Sequence, residues 1–100
     1  MVRHIVMWNF KEGFTAEQKK QYAERIKTEL EALADVVPGV VSVEVVTQPL
    51  TSSNRELVLN SLFESAEALA NYQTHPDHVK AGQFIGSVAM DRTCGDYVEN

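Results

Sequence analysis

The sequence predicts an α+β domain in which helices cover one face of a four-stranded antiparallel sheet. Short β-branched and apolar segments bounded by turn residues predict the strands, and apolar residues spaced three and four apart predict the helices. With 44% hydrophobic and 23% charged residues, the 100-residue chain has the composition of an ordinary folded protein. A chain of this length forms one modest core. We therefore expect residues 1–100 to be a single domain.

The first elements are a strand and a long helix. His4 to Phe10 is apolar and aromatic and stops at Lys11-Glu12-Gly13, which predicts a strand and a turn. Thr15 then opens Thr-Ala-Glu-Gln, a capping box that starts a helix. Apolar residues at helical spacing follow, namely Tyr22, Ile26, Leu30, Leu33 and Val37. Pro38-Gly39 ends this helix.

The remaining elements complete the order β-α-β-β-α-β. Val40 to Val46 is almost wholly β-branched and predicts the second strand, and Glu56 to Phe63 predicts the third. Ser65 caps a short helix that breaks near His75, and Pro76 suits the first turn of the next. Arg92 to Val98 forms the last strand. This order is the ferredoxin-like arrangement.

Both faces of the predicted sheet are apolar, whereas the helices of one chain cover one face. The opposed sets are His4, Val6, Trp8 and Phe10 against Ile5 and Met7 on the first strand, Val41, Val43 and Val45 against Val40 and Val46 on the second, and Leu57, Leu59 and Phe63 against Val58 and Leu62 on the third. The simplest cover for the second face is another copy of the chain. We expect a homodimer through the sheet face, in which the two sheets enclose a common core; the alternative is a monomer with a few exposed valines.

Charge and composition argue against several other partners. Nine basic and fourteen acidic residues give a formal charge of −5, which disfavours nucleic acid and anionic membranes. Eighteen consecutive apolar residues occur nowhere and the N-terminus lacks the pattern of a signal peptide, so we expect a cytoplasmic protein. Cys94 is the single cysteine, which excludes an internal disulfide and favours a buried structural thiol.

The candidate site is a cluster of ring side chains at the break between the two predicted helices. Tyr72, His75 and His78 come together there, and a neutral imidazole with a phenol suits acid–base chemistry on a carbonyl compound. His4 lies in an apolar strand face and is expected to be a satisfied core histidine or a cavity wall residue. The alternative is structural: His75 caps a helix, His78 bonds a backbone carbonyl and Tyr72 packs on the core. Without HExxH or a comparable spacing, we predict no metal site.

The chain resembles the stress-responsive A/B barrel (Dabb) domain over nearly its whole length. The resemblance lies in the N-terminal residues His4 to Lys11, in Pro38-Gly39, in Phe63-Glu64-Ser65, in Tyr72-x-x-His75-Pro76-x-His78-Val79 and in Asp96-Tyr97. It implies a dimeric barrel of two ferredoxin-like subunits. Many members of this family have no established activity.

One plant member of the family closes a linear polyketide without a metal or organic cofactor. The resemblance to it implies that His78 acts as a base, that Tyr72 is its partner and that His4 lines the pocket. We expect His75, Trp8 and Leu57 to line the same pocket. That enzyme has another imidazole where this chain has Leu57, which separates this chain from its particular ring closure.

The sequence does not decide whether the protein is an enzyme. The first hypothesis is a dimer that binds a small apolar or carbonyl-containing molecule near His78, and the second is a cofactor-free cyclase, lyase or isomerase. A third is a cofactor-free monooxygenase like those of other dimeric barrels, which use a Trp/Asn/His set. Trp8 and Asn9 supply those residue types but point to opposite faces of a regular strand.

Overall fold

The protein is described by a computed structural model that covers all 100 residues, Met1 to Asn100. The elements are β1 (Val2–Phe10), α1 (Ala16–Ala32) with a 3₁₀ turn (Leu33–Asp35), β2 (Val40–Val46), β3 (Leu57–Phe63), α2 (Ala66–Thr74), α3 (Pro76–Val88) and β4 (Ala89–Val98). The strands form one antiparallel sheet in the order β2-β3-β1-β4. This confirms the ferredoxin-like α+β fold. The segment after β3 forms two helices, which meet at His75.

The helices start where the capping residues predict. The backbone N–H of Gln18 donates to Oγ1 of Thr15 at 3.1 Å, and the Thr15 N–H donates to Oε1 of Gln18 at 2.8 Å, so the capping box is complete. The Ser65 hydroxyl accepts from the Ala68 N–H at 3.0 Å and begins α2 in the same manner. These caps fix the residues at which α1 and α2 begin.

Gly39 is the tightest point between the helices and the sheet. Its φ of +84° lies in the left-handed region, and a Cβ placed there would be 2.6 Å from Cβ of Ala68 in α2. Glycine therefore serves two purposes, since it tolerates the backbone conformation and lets α2 approach the start of β2.

The core lies between the sheet and the helices. Strand β1 alternates buried and partly buried residues along its whole length, and β3 does the same. From the helices, Ile26 and Leu30 of α1 are each 1% exposed. Leu57 and Phe63 of β3 are fully buried beneath them. The helix-facing residues of β1 are those that the sequence pattern groups with His4.

Strand β2 departs from the predicted alternation. Val40 pairs with Phe63, but the register shifts before Ser42, so that one extra residue is inserted as a β-bulge. As a result Val40, Val43 and Val45 pack towards the core, and Val41 is 45% exposed. The prediction that Val41 shares a face with Val43 and Val45 was wrong, because sequence alternation assumes a regular strand.

Strand β4 starts earlier than predicted and is an edge strand. It begins at Ala89 instead of Arg92, and every later residue in it is exposed. Asp91 adopts φ of +58° where the pairing with β1 is irregular. Cys94 is consequently exposed, which corrects the expectation of a buried thiol. No helix lies over the outer end of this strand, and periodicity alone does not reveal that.

The face of the sheet opposite the helices is mixed apolar and polar. Val46, Val58 and Met7 lie side by side across three strands, and Ile5 lies between Asn60 and Gly95. Because Gly95 has no side chain, and a Cβ there would meet nothing within 4 Å, the surface beside Ile5 is open. We call this surface, with Leu62, the open sheet face.

None of the helices has the length and apolar character that crossing a membrane requires.

Candidate functional site

A cavity of about 200 Å³ lies between the helix-facing side of the sheet and helix α3. Its apolar lining consists of Val6, Trp8, Leu30, Leu59, Ile85, Ala89 and Met90. The polar lining residues are His4, His78 and Arg92. An apolar cavity with a few convergent polar groups is the usual form of a small-molecule site.

Two glycines of α3 keep this cavity open. Gly82 and Gly86 lie one helical turn apart in the cavity wall, and a Cβ added to either would meet no atom within 4 Å. Glycine inside a helix costs about 1 kcal/mol relative to alanine. Alanine would fit sterically at both positions, so the sequence keeps space along the wall at the expense of helix stability.

His78 presents a free ring nitrogen in this wall. It lies in the first turn of α3, and its Nδ1 is 3.2 Å from the carbonyl oxygen of Gln73. A carbonyl only accepts, so Nδ1 carries the proton and Nε2 keeps a lone pair without a protein partner. Burial lowers the pKa of the His78 imidazole, and the positive charge of Arg92 acts in the same direction. His78 is therefore a neutral proton acceptor near pH 7.

His4 forms the opposite wall and is held by a carboxylate. It is 2% exposed, and its Nδ1 donates to the Asp96 side chain, which lies directly opposite it in the β1–β4 pairing. Burial is the largest single influence and opposes ionisation of this carboxylate, but the hydrogen bond and charge of His4, together with Cys94 and Arg92, outweigh it, so the pKa of Asp96 lies below its ordinary value. The bond assigns the proton to Nδ1 and leaves Nε2 of His4 as a second acceptor.

Tyr72 lies behind these imidazoles and not in the cavity wall. Its ring centroid is 4.4 Å from that of His78 and 6.4 Å from that of His4. The side chain is fully buried, and its hydroxyl has no hydrogen-bond partner in the protein. Burial raises the pKa of Tyr72 to about 12, so the phenol stays protonated. Tyr72 thus supports the His78 ring, and its hydroxyl is a donor without an acceptor.

His75 and Leu57 lie outside the cavity, in contrast to the sequence-based expectation. His75 caps α3, and its Nδ1 accepts from the Asp77 N–H at 3.1 Å. Leu57 is fully buried in the core, and Leu59, one alternation further along β3, reaches the cavity instead. The cap draws the His75 ring back over its own helix, which separates it from the ring of His78.

A comparison with protein families decides the classification. The model of the stress responsive A/B barrel domain, Dabb, matches residues 2–99. The chain belongs to the Dabb family. This Dabb protein is similar to the olivetolic acid cyclase of Cannabis sativa, with 30% identity over 89 residues that cover 86% of this chain and 84% of the cyclase.

Solved structures share the fold. A dimeric protein of unknown function with a ferredoxin-like fold from Bacteroides fragilis is 28% identical, with a TM-score of 0.90 and coverage of 98% of this chain and 95% of that one. The hydroxynitrile lyase from Passiflora edulis has a TM-score of 0.80 at 16% identity, with coverage of 99% and 93%. At that identity the likeness to the lyase concerns the fold alone.

Three residues of this Dabb protein offer a set of metal-ligating atoms beside the cavity. Nδ1 of His4, Sγ of Cys94 and a carboxylate oxygen of Asp96 lie within 4.8 Å of one another. Partial burial raises the pKa of the Cys94 thiol, and the hydrogen bond to Asp96 adds to this. A cation held by all three atoms would have to displace the Nδ1 proton of His4 and the thiol proton of Cys94.

The side chains of Trp8 and Asn9 lie on opposite faces of β1 in the Dabb protein. Trp8 lines the cavity. Asn9 instead donates to the Asp91 carboxylate at 3.1 Å and accepts from the Glu56 N–H at 3.2 Å. Their opposite directions agree with the strand geometry expected from the sequence.

Asp96 and Arg92 are site residues that the sequence reasoning missed. Both lie on β4, whose register against β1 places Asp96 opposite His4. The sequence signal that points to Asp96 is a carboxylate in the last strand, because the last strand of this fold pairs with the first. Register cannot be read from either strand alone, so the sequence does not reveal that His4 and Asp96 are paired.

The His4–Asp96 pair predicts a specific dependence of stability on pH. The folded pKa of Asp96 is lowered, so its ionised form stabilises the fold above about pH 4, and this contribution is lost as pH falls through the folded pKa. We expect Asp96→Asn to lower the free energy of unfolding at pH 7, and the difference from wild type to shrink towards pH 2. Urea denaturation at a series of pH values measures this. Glu12→Gln removes the same charge from an exposed turn as a control. A difference that is constant with pH would contradict the assignment.

Proposed function

We propose that this protein binds a small, mainly apolar carbonyl compound in the cavity beneath α3. The observation that carries the proposal is that two imidazoles, His78 and His4, present free Nε2 atoms from opposite walls of an otherwise apolar cavity. The likeness to a cyclase supports this choice of ligand class. A water molecule that donates to either Nε2 atom can donate its other hydrogen to a carbonyl oxygen, and the apolar wall accepts the rest of the ligand.

Binding is tested by titrating ¹⁵N-labelled protein with a panel of small ketones, aldehydes and aromatic acids. We expect the amide shifts of Trp8, Leu59 and Ile85 to move together and to saturate at one ligand per chain. Shifts confined to other surfaces, or none with any member of the panel, would contradict the proposal.

We infer a second candidate function, cofactor-free proton abstraction next to a carbonyl. It is supported by the tautomer and the lowered pKa of His78, since a general base needs an unprotonated nitrogen aimed at its substrate. The C–H bond breaks, its proton goes to Nε2 of His78, and the electron pair moves to the carbonyl oxygen as an enolate. Tyr72 supports the imidazole from behind.

Exchange of the α-proton of the bound ketones in D₂O tests this second function by proton NMR. We expect His78→Asn to reduce the exchange to the rate in buffer, since it removes the lone pair that takes the proton. His75→Asn is the matched control, because asparagine keeps a helix cap at a position outside the cavity. Exchange above the buffer rate that survives in His78→Asn would rule out His78 as the base. A wild-type protein with no exchange above the buffer rate would leave binding as the sole function.

We also propose that two copies pair through the open sheet face. This is supported by the mixed apolar surface around Ile5, Met7, Val58 and Leu62, and by the dimeric state of the similar Bacteroides fragilis protein. Sheets packed face to face lie about 10 Å apart, close enough for their side chains to interdigitate, and the gap above Gly95 would accept a side chain of the second copy.

A further inference from the structure

Arg92 is the one lysine or arginine in the cavity wall. It lies on β4, on the side of the sheet that carries Cys94 and Asp96, and its exposure places it at the mouth of the cavity. The salt bridges of the protein involve Arg3, His4, Lys19, Arg25 and Lys27, and none involves Arg92. The guanidinium therefore has no carboxylate bound to it.

The negative charge nearest in sequence on this side of the strand belongs to Asp96; the charge of Arg92 helps to lower its pKa, but no salt bridge joins the two side chains. Its carboxylate accepts from Nδ1 of the buried His4. The chain has a formal charge of −5, so acidic residues outnumber basic ones. A positively charged side chain that stands beside an apolar cavity without a bound carboxylate is an exception to this acidic character. A guanidinium binds a carboxylate through two parallel hydrogen bonds, with a geometry that a neutral group cannot reproduce.

We propose that the ligand of this cavity is a monocarboxylate with an apolar body, and that Arg92 binds its carboxylate at the cavity mouth. The inference rests on the proposed binding function and specifies its ligand class. The carboxylate lies at Arg92, the apolar body packs on Trp8 and Ile85, and His78 meets the part of the ligand that enters furthest. Arg92 is then a specificity-determining residue.

Matched acid and amide pairs test the inference by isothermal titration calorimetry at low salt. Benzoate is compared with benzamide, and 3-methylbutanoate with 3-methylbutanamide, so that shape is kept while charge is removed. We expect the acids to bind about tenfold more tightly than the amides, which corresponds to about 1.4 kcal/mol. We expect Arg92→Gln to abolish this preference, chiefly by weakening the binding of the acids. Arg92→Lys retains part of the preference, because an ammonium lacks the paired donors.

Lys20→Gln is the control for net charge, since it removes one positive charge from an exposed position of α1 outside this cavity. It should keep the wild-type preference. Equal affinity for acids and amides, or a preference that persists in Arg92→Gln, overturns the role of Arg92 while binding itself stands. If the members of both pairs fail to bind, the ligand class and the binding function fall together.

Discussion

Gly39→Ala is expected to lower the free energy of unfolding by about 3 kcal/mol, the largest loss among the substitutions considered for this protein. A left-handed φ costs a residue with a Cβ about 1–2 kcal/mol. The new methyl group would also stand 2.6 Å from Cβ of Ala68, which has no rotamer to move away. Overpacking of this kind adds about 1–3 kcal/mol. Urea denaturation followed by circular dichroism measures the loss.

Gly13→Ala is the matched control for this substitution. Gly13 has a φ of +97°, but a Cβ there would meet nothing within 4 Å, so only the backbone cost of about 1–2 kcal/mol applies. The double variant Gly39→Ala with Ala68→Gly should recover part of the loss, which a double-mutant cycle quantifies. Equal losses for Gly39→Ala and Gly13→Ala would show that α2 moves aside freely.

Ile5→Glu is expected to convert the proposed dimer into a monomer. A two-fold axis through the open sheet face would bring two such carboxylates into one interface, and each would lose its hydration without gaining a partner. An effective cost of several kcal/mol per buried charge raises the dissociation constant by about a thousandfold or more. Analytical ultracentrifugation at micromolar concentration separates the two masses.

Val79→Glu adds the same charge at a residue of α3 that is 46% exposed, away from the open sheet face. It should leave the mass of the assembly unchanged. That result would show that Ile5→Glu disrupts the dimer because of where its charge lies and not because of the added charge itself. A wild-type protein that sediments as a monomer, or Ile5→Glu that remains dimeric, would refute pairing through this face.

Local signals in the sequence were sufficient for most of the fold. The capping box at Thr15 and the proline at the start of α3 act within a few residues, so each can be read without knowledge of the rest. The helix end predicted at Pro38-Gly39 was too late, because α1 ends at Ala32 and its 3₁₀ turn at Asp35. The bulge at Val41 and the early start of β4 depend on pairing with neighbouring strands. Those features arise from tertiary contacts and leave no mark in the periodicity.

The candidate site was predictable only in its residue types. The sequence brought Tyr72 and His78 together because they lie six residues apart across a helix break. It also grouped His4 with Val6 and Trp8 on one face of the first strand. It could not place Asp96 against His4, 92 residues apart in sequence, because that contact depends on the β1–β4 register. The structural roles considered as alternatives for Tyr72, His75 and His78 are all present, and the cavity gives His78 a second role.

The fluorescence of Trp8 reports on the cavity. It is the single tryptophan of the chain, it is 7% exposed, and it forms part of the cavity wall. Indole emission responds to the polarity around the ring and to contact with quenching groups such as carbonyls. Any molecule that enters this cavity therefore changes the whole tryptophan fluorescence of the protein, with no background from other indoles. Occupancy can be followed in unlabelled protein, including during purification, when a carried-over ligand would be visible before its chemistry is known.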